Sequence, residues 1–271
     1  MCTANDPFIT YLKQFGYSAI RLPRTNIAPL QVLGKYDRDL SWLGDVTELF
    51  VPSPAAQLPN ISRDMPVAEI SGKRSGELSV GVGVSILKGI IEALAGSKLG
   101  INLAFRNAKS ITFEFPEVFS DHVSPLALDK FLAQSDVDPN AVSVGRMLEA
   151  DKLYLITSTL KASTFVVDAK AETGASVAVD VPAIKGAISG NVTVDGDSAS
   201  AGKVAFTGTT PVIFGFQAVQ LFYDKGRYTA IKPLPPGHIV ARATEVTRSS
   251  IDEKLERFET DATFARVDLG G

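Results

Sequence analysis

The chain has 271 residues, 45% of them hydrophobic and 21% charged, with a formal net charge of -3, which suits one or two domains with a large core. That charge, without a basic stripe of interleaved aromatics, argues against a nucleic-acid partner, and the longest apolar stretch, SILKGIIEALAG, is broken by Lys88 and Glu92 before it reaches the length of a membrane-spanning helix. One cysteine, Cys2, rules out an internal disulfide and a thiolate zinc site.

In chain order, residues 6–15 read as a short helix or turn, with Asp6 as cap and Pro7 at the first helical position. No basic region followed by an apolar core opens the chain, so the expectation is a protein made and kept in the cytosol. Residues 17–34 alternate as a strand broken at Pro23 and Pro29, and 36–62 read as irregular around Trp42 and a Pro-rich run. Strand character returns over 66–86, where Leu78, Val80, Val82, Val84 and Ile86 alternate with Ser79, Gly81, Gly83 and Ser85; a helix is predicted near 86–96. Ile101–Phe105 and Ile111–Phe115 read as short strands around a turn, and Pro125–Gln134 and Val142–Ala150 as helices.

From Leu153 to Phe206 apolar residues recur at every second position with small polar residues between them. Ala175, Val177, Val179 and Val181 share one strand face, and Ile188, Val192 and Val194 repeat the pattern. This is the period of a half-buried antiparallel sheet. It is equally the period of a membrane strand of roughly 9–11 residues. Gly215–Tyr223 is a dense apolar strand, and from Arg248 the chain turns polar and amphipathic, with Ser250 and Glu253 spaced as a capping box.

Catalytic signals are poor. His122 and His238 sit beside Pro or Ser in loop-like contexts, and there is no phosphate loop, nucleophile elbow or metal-ligand spacing. The expectation is no enzyme, no metal and no cofactor. Cys2 reads either as a terminal thiol of no consequence or as a site of lipid attachment, where one acyl chain gives modest anchoring and needs a second membrane contact.

Three stretches carry a family resemblance: GYSAIRLPRTNIAPLQVLGK (16–35), DKLYLITSTLKASTFVVDAKAE (151–172) and TPVIFGFQAVQLFYD (210–224). Their order and spacing resemble the pore-forming domain of gasdermins, in the short bacterial form; in the third, Gly215 stands where the family pattern has Ala. The resemblance implies an α+β fold around a strongly twisted antiparallel sheet with several short helices. It also implies a pore-forming domain at 1–248, followed by an inhibitory peptide at 249–271. Removal of the peptide by a protease, caspase-like among the candidates, would free the domain to form a large ring oligomer and insert β-hairpins into membrane lipid. The protein would be cytoplasmic when intact and at the inner membrane after cleavage, causing cell death in antiphage defence. Palmitate on Cys2 is implied as well.

The inserting strands are expected at 70–115, through Leu78, Val80, Val82 and Val84, and at 153–206, through Val177, Val179, Val192 and Val194. Ile251, Leu255 and Phe258 form one helical stripe, and with Phe264 and Leu269 they are the expected anchors of the peptide. The resemblance does not fix the cut. ATEVTRSS, ahead of the stripe, carries no strong structure signal, so the cut is expected there; for a protease that prefers basic residues Arg248 is the first choice and Arg242 and Lys254 the fallbacks. The alternative function is a cytosolic β-rich protein that binds a lipid or other ligand in a hydrophobic groove without membrane insertion.

Overall fold

The computed structural model describes residues 7–36, 39–95, 105, 107–175, 177–180, 182, 184–185, 192–196, 202–236 and 239–240. In chain order the elements are α1 (Pro7–Gln14), β1 (Ser18–Arg24), β2 (Gln31–Tyr36), β3 (Asp39–Asp45), α2 (Val46–Leu49), β4 (Phe50–Pro52), β5 (Ile61–Pro66), β6 (Leu78–Ser79) and α3 (Val80–Ala95). They continue as β7 (Ser110–Glu114), β8 (Phe119–Val123), α4 (Pro125–Ala133), β9 (Ser135–Val137), α5 (Val142–Glu149), β10 (Leu153–Lys170), β11 (Val192–Gly196), β12 (Lys203–Asp224), β13 (Arg227–Pro233) and β14 (Ile239–Val240).

The spine is the antiparallel pair of β10, 18 residues long, and β12, 22 residues long. They pair from Tyr154 opposite Gln220 to Asp168 opposite Lys203, with bulges near Thr157, Leu160 and Ser163. Along its other edge β10 takes β2, then β8, then β7. Along its other edge β12 takes β13, then β1, then β11. At one end the order β12-β1-β14-β3-β2-β10 returns to β12, closing a small barrel. Its apolar filling includes Ile20, Leu33, Tyr154, Ile156 and Phe216. All pairings are antiparallel except those of β14 with β1 and β3.

Helices pack where their apolar stripes fall. In α1, Phe8, Tyr11 and Leu12 are buried at the spacing of three and four that makes one helix face. In α4, Ser124 accepts a hydrogen bond from the Ala127 N–H at 3.4 Å, Pro125 opens the first turn, and Leu128, Phe131 and Leu132 face the core.

The α+β class, with its curled antiparallel sheet, agrees with the sequence reading, and so do the helices at α1, α4 and α5. Four expectations need correction. Residues 36–62 are not irregular: β3 pairs with β2 there, and α2 and β4 follow. Of the strand expected over 66–86, only Pro66, at the end of β5, and Leu78–Ser79 are strand, and Val80–Ala95 is helical. Buried Val84, Leu87 and Ile91 repeat at helical spacing, so over 16 residues the longer period prevails over the Val-Gly alternation at its start. The strand expected around Val177 and Val179 is also absent: residues 177–180 are coil. With Ala175 and Ala178 exposed and Val177 and Val179 only half-buried, this stretch offers too little apolar surface to hold a strand in place. His122 is not in a loop but in β8, opposite Ser158.

Candidate functional site: a two-faced sheet under a helix

Beyond the bulges, β7, β10, β12 and β11 form a regular four-stranded sheet in which opposed residues share a face. One face is apolar throughout: Ile111 and Phe113 from β7, Phe165, Val167 and Ala169 from β10, Val204 and Phe206 from β12, and Val194 from β11. All of them are buried. Phe165 lies opposite Phe206 and their rings stack at 5.0 Å, 4° from parallel. The other face carries Ser110, Thr112 and Glu114, then Thr164, Val166, Asp168 and Lys170, then Lys203, Ala205 and Thr207, then Thr193 and Asp195. The hydroxyls of Thr164 and Thr207 meet across it at 3.2 Å.

The apolar face is covered by α3, which packs on β7, β11, β12 and β1. The approach is close. A Cβ at Gly83 would lie 2.8 Å from Ile111 Cβ, so only glycine fits there. A Cβ at Gly215 would lie 3.1 Å from Leu160 Cδ1, so an alanine there would require the end of the Leu160 side chain to give by a few tenths of an ångström.

At the other end of this region a polar cluster pins β10 to β8 and β5. Lys161 Nζ lies 2.7 Å and 2.8 Å from the two carboxylate oxygens of Asp121 and 2.8 Å from Asp64 Oδ1. The Asp64 N–H donates to Asp121 Oδ1 at 2.8 Å, Arg63 stands 3.6 Å from Asp121, and Asp64 adopts φ +56 at an irregularity in the β5–β8 register. Burial alone would raise the Asp121 carboxyl; the Lys161 ammonium, the Asp64 N–H and Arg63 outweigh it and hold the group below the ordinary aspartate range.

Of the expected inserting residues, Leu78 is in β6 and buried, Val80, Val82 and Val84 are on α3, and Val192 and Val194 are in β11, with Val194 opposite Phe206. Val177 and Val179 stand apart in coil, Val179 packed against the same core. Sequence reasoning missed that α3 covers the strands of the later block and that β7 joins them. It also missed Lys161, although a lysine amid LITSTLKASTFVV signals a buried partner. Cys2, Arg242, Arg248, Lys254, Ile251, Leu255, Phe258, Phe264 and Leu269 lie outside the described residues, as do the expected boundary at 248 and His238.

A surface cleft of about 730 Å³ lies between β3, α2 and α5. It is rimmed by Asp45, Glu48 and Asp138, which does not favour the hydrophobic groove of the alternative reading. Among the described residues no group of three or more His, Cys, Asp or Glu could hold a metal, and no helix is long and apolar enough to cross a membrane, which says nothing of strands.

The family model described as the Bacterial Gasdermin Family matches residues 20–227. The chain belongs to this family. A "Gasdermin bGSDM" from a Desulfuromonadales bacterium is 44% identical over 262 residues, covering 97% of each chain. Another from Lysobacter enzymogenes is 39% identical over 239 residues, covering 88% of each. The structure of a bacterial gasdermin from Bradyrhizobium tropiciagri superposes with a TM-score of 0.58 at 18% identity, over 89% of this chain and 98% of that one, and shares its fold. Gasdermins are a pore-forming family and not a catalytic one, so membership supports oligomeric pore formation at a membrane as the function of this gasdermin.

Proposed function

We propose that this gasdermin is held inactive in the cytoplasm by residues 249–271. In this reading an activating protease, caspase-like among the candidates, removes them with a cut at Arg248, or else at Arg242 or Lys254. The freed domain of residues 1–248 then assembles into a large ring, inserts hairpins from about 70–115 and 153–206 into the inner membrane, and kills the cell in antiphage defence. The observation that carries the reading is the two-faced sheet. Its apolar face is dry under α3 and can exchange protein core for lipid at little cost, while its Thr- and charge-bearing face suits a water-filled lumen. At 18 and 22 residues, β10 and β12 exceed the roughly 9–11 that a tilted strand needs to span the hydrocarbon layer. Only a closed barrel satisfies strand backbone groups in lipid, so insertion demands oligomerisation. Dye leakage from liposomes on release of the C-terminal segment tests the whole scheme.

For α3 to supply strands it must abandon its helix, and Val80-Gly81-Val82-Gly83-Val84 is patterned for both states. The helix is weakened by glycine, and the same residues alternate cleanly as a strand. Gly81 is an exposed helical position where an added Cβ meets nothing within 4 Å. Gly81→Ala is therefore expected to stabilise the intact protein by about 0.5–1 kcal/mol. It should slow leakage after cleavage roughly 2–5-fold, that free energy read as a rate. A higher melting temperature with an unchanged leakage rate would show that α3 does not unwind on the way to the pore.

The Cys2 thiol is proposed to carry palmitate as a second membrane contact. Intact-mass measurement of protein from a bacterial host should show a palmitoyl addition that is absent in Cys2→Ala. A free thiol throughout would remove the lipid from the scheme.

A further inference from the structure

The segment from Val67 to Ser79, which leads into α3, runs along the outer edge of β7. The Val67 N–H donates to the Val118 carbonyl, Gly72 to Phe115 and Ser75 to Phe113, and the Phe113 N–H returns a bond to Ser75 Oγ at 2.9 Å. Two of its side chains do more than follow β7; they reach across it to the next strand. Arg74 Nε lies 3.0 Å from Glu114 on β7, and its Nη1 lies 3.6 Å from Asp168 on β10. Glu77 accepts from Lys170 on β10 at 3.3 Å and from the Ser110 hydroxyl on β7 at 3.4 Å. Asp168 is only 6% exposed, and among the described residues its Oδ1 has no hydrogen-bond partner and Arg74 is a cation set over this buried carboxylate. A buried carboxylate that loses its cation costs far more than a surface pair contributes.

We propose that these ion pairs are a clasp that locks the 67–79 segment over β10, so that α3 cannot leave the sheet until β10 loosens as well. The clasp joins the two regions that convert in the pore reading, on which this inference rests, and it sets the threshold at which they convert together. Its strength falls as salt screens the exposed Arg74–Glu114 and Glu77–Lys170 pairs, while the pair with buried Asp168 is screened least.

The test uses the full chain and two separate readouts. In hydrogen exchange on the intact protein, Arg74→Ala should speed exchange roughly tenfold at Gly72 and Ser75 and, in step with them, over Val166–Lys170 of β10. Glu77→Lys should do the same more weakly, and Glu77→Lys with Lys170→Glu should restore protection. In liposome leakage after release of the C-terminal segment, Arg74→Ala should be several-fold faster than the parent, and the double swap should return to the parent rate. Faster exchange confined to residues 67–79, with β10 unchanged, overturns the clasp, as does a double swap no better than the single variant. Should the parent itself never leak, the pore reading falls, and the exchange arm still decides whether the clasp exists. If Arg74→Ala fails to fold, Arg74→Lys, which keeps the charge but loses the fork, takes its place with the same two outcomes.

Discussion

Lys161→Met should lower the unfolding free energy of the intact protein by about 3–5 kcal/mol, the range for removing one partner of a buried ion pair. Lys161 is 9% exposed and Asp121 5%, so neither is rescued by water when the other goes. Without the ammonium, Asp121 keeps one N–H bond from Asp64 and the outlying Arg63, 3.6 Å away on a largely exposed side chain. The cluster stands where β10 passes from the barrel to the two-faced sheet, so its loss should loosen both. Urea titration checks the magnitude, and a loss below about 1 kcal/mol, typical of a surface pair, would mean that the cluster is solvated. Lys161→Met with Asp121→Leu should recover most of the loss, because an apolar pair of similar volume carries no desolvation cost.

The same cluster sets the sign of the acid response. The Asp121 carboxyl is held below its ordinary range in the folded chain, so its contribution is fully present above the unfolded aspartate value of about 4 and is lost as pH falls through the lower folded value. Wild type should therefore weaken on acidification below about pH 4, and its advantage over Lys161→Met should shrink over the same span. A gap that stays constant down to pH 2 would place the stabilisation elsewhere.

The long strand β10 was legible because its alternation survives over many residues; of β12, Gly215–Tyr223 was legible as an apolar strand, but not its continuation back to Lys203 as one strand. The helix α4 was legible from Pro125 onward for a local reason, since proline fixes φ at a helix start without tertiary help; the Ser124 cap came only with the structure. Val80–Ile86 was not legible. Val-Gly alternation fits a strand, and the helix prevails through the longer helical period that runs on to Ala95, with Gly83 seated against Ile111 far along the chain. β3 was hidden among turn residues and is held by pairing with β2 and β14. The two-faced sheet was half legible. Val194 was placed on its apolar face, but Phe113, Phe165 and Phe206 complete that face only once β7, β10 and β12 come into register. The polar cluster joins Asp64, Asp121 and Lys161 over separations that no local pattern records.

In the proposed function this chain makes a pore once its C-terminal segment is freed. A foreign protease site placed between Thr247 and Ser250 cuts ahead of the stripe Ile251, Leu255 and Phe258. The five expected anchors, Phe264 and Leu269 included, would hold a tethered peptide at roughly 1.5–3 kcal/mol for each one fully buried. After the cut the peptide should lose its high effective concentration and dissociate. Dye release from liposomes of bacterial inner-membrane lipid is the direct measurement. The intact protein should leave them sealed, and the cut protein should empty them with no selectivity among small dyes. A tail that is cut and released while the liposomes stay sealed would contradict the account.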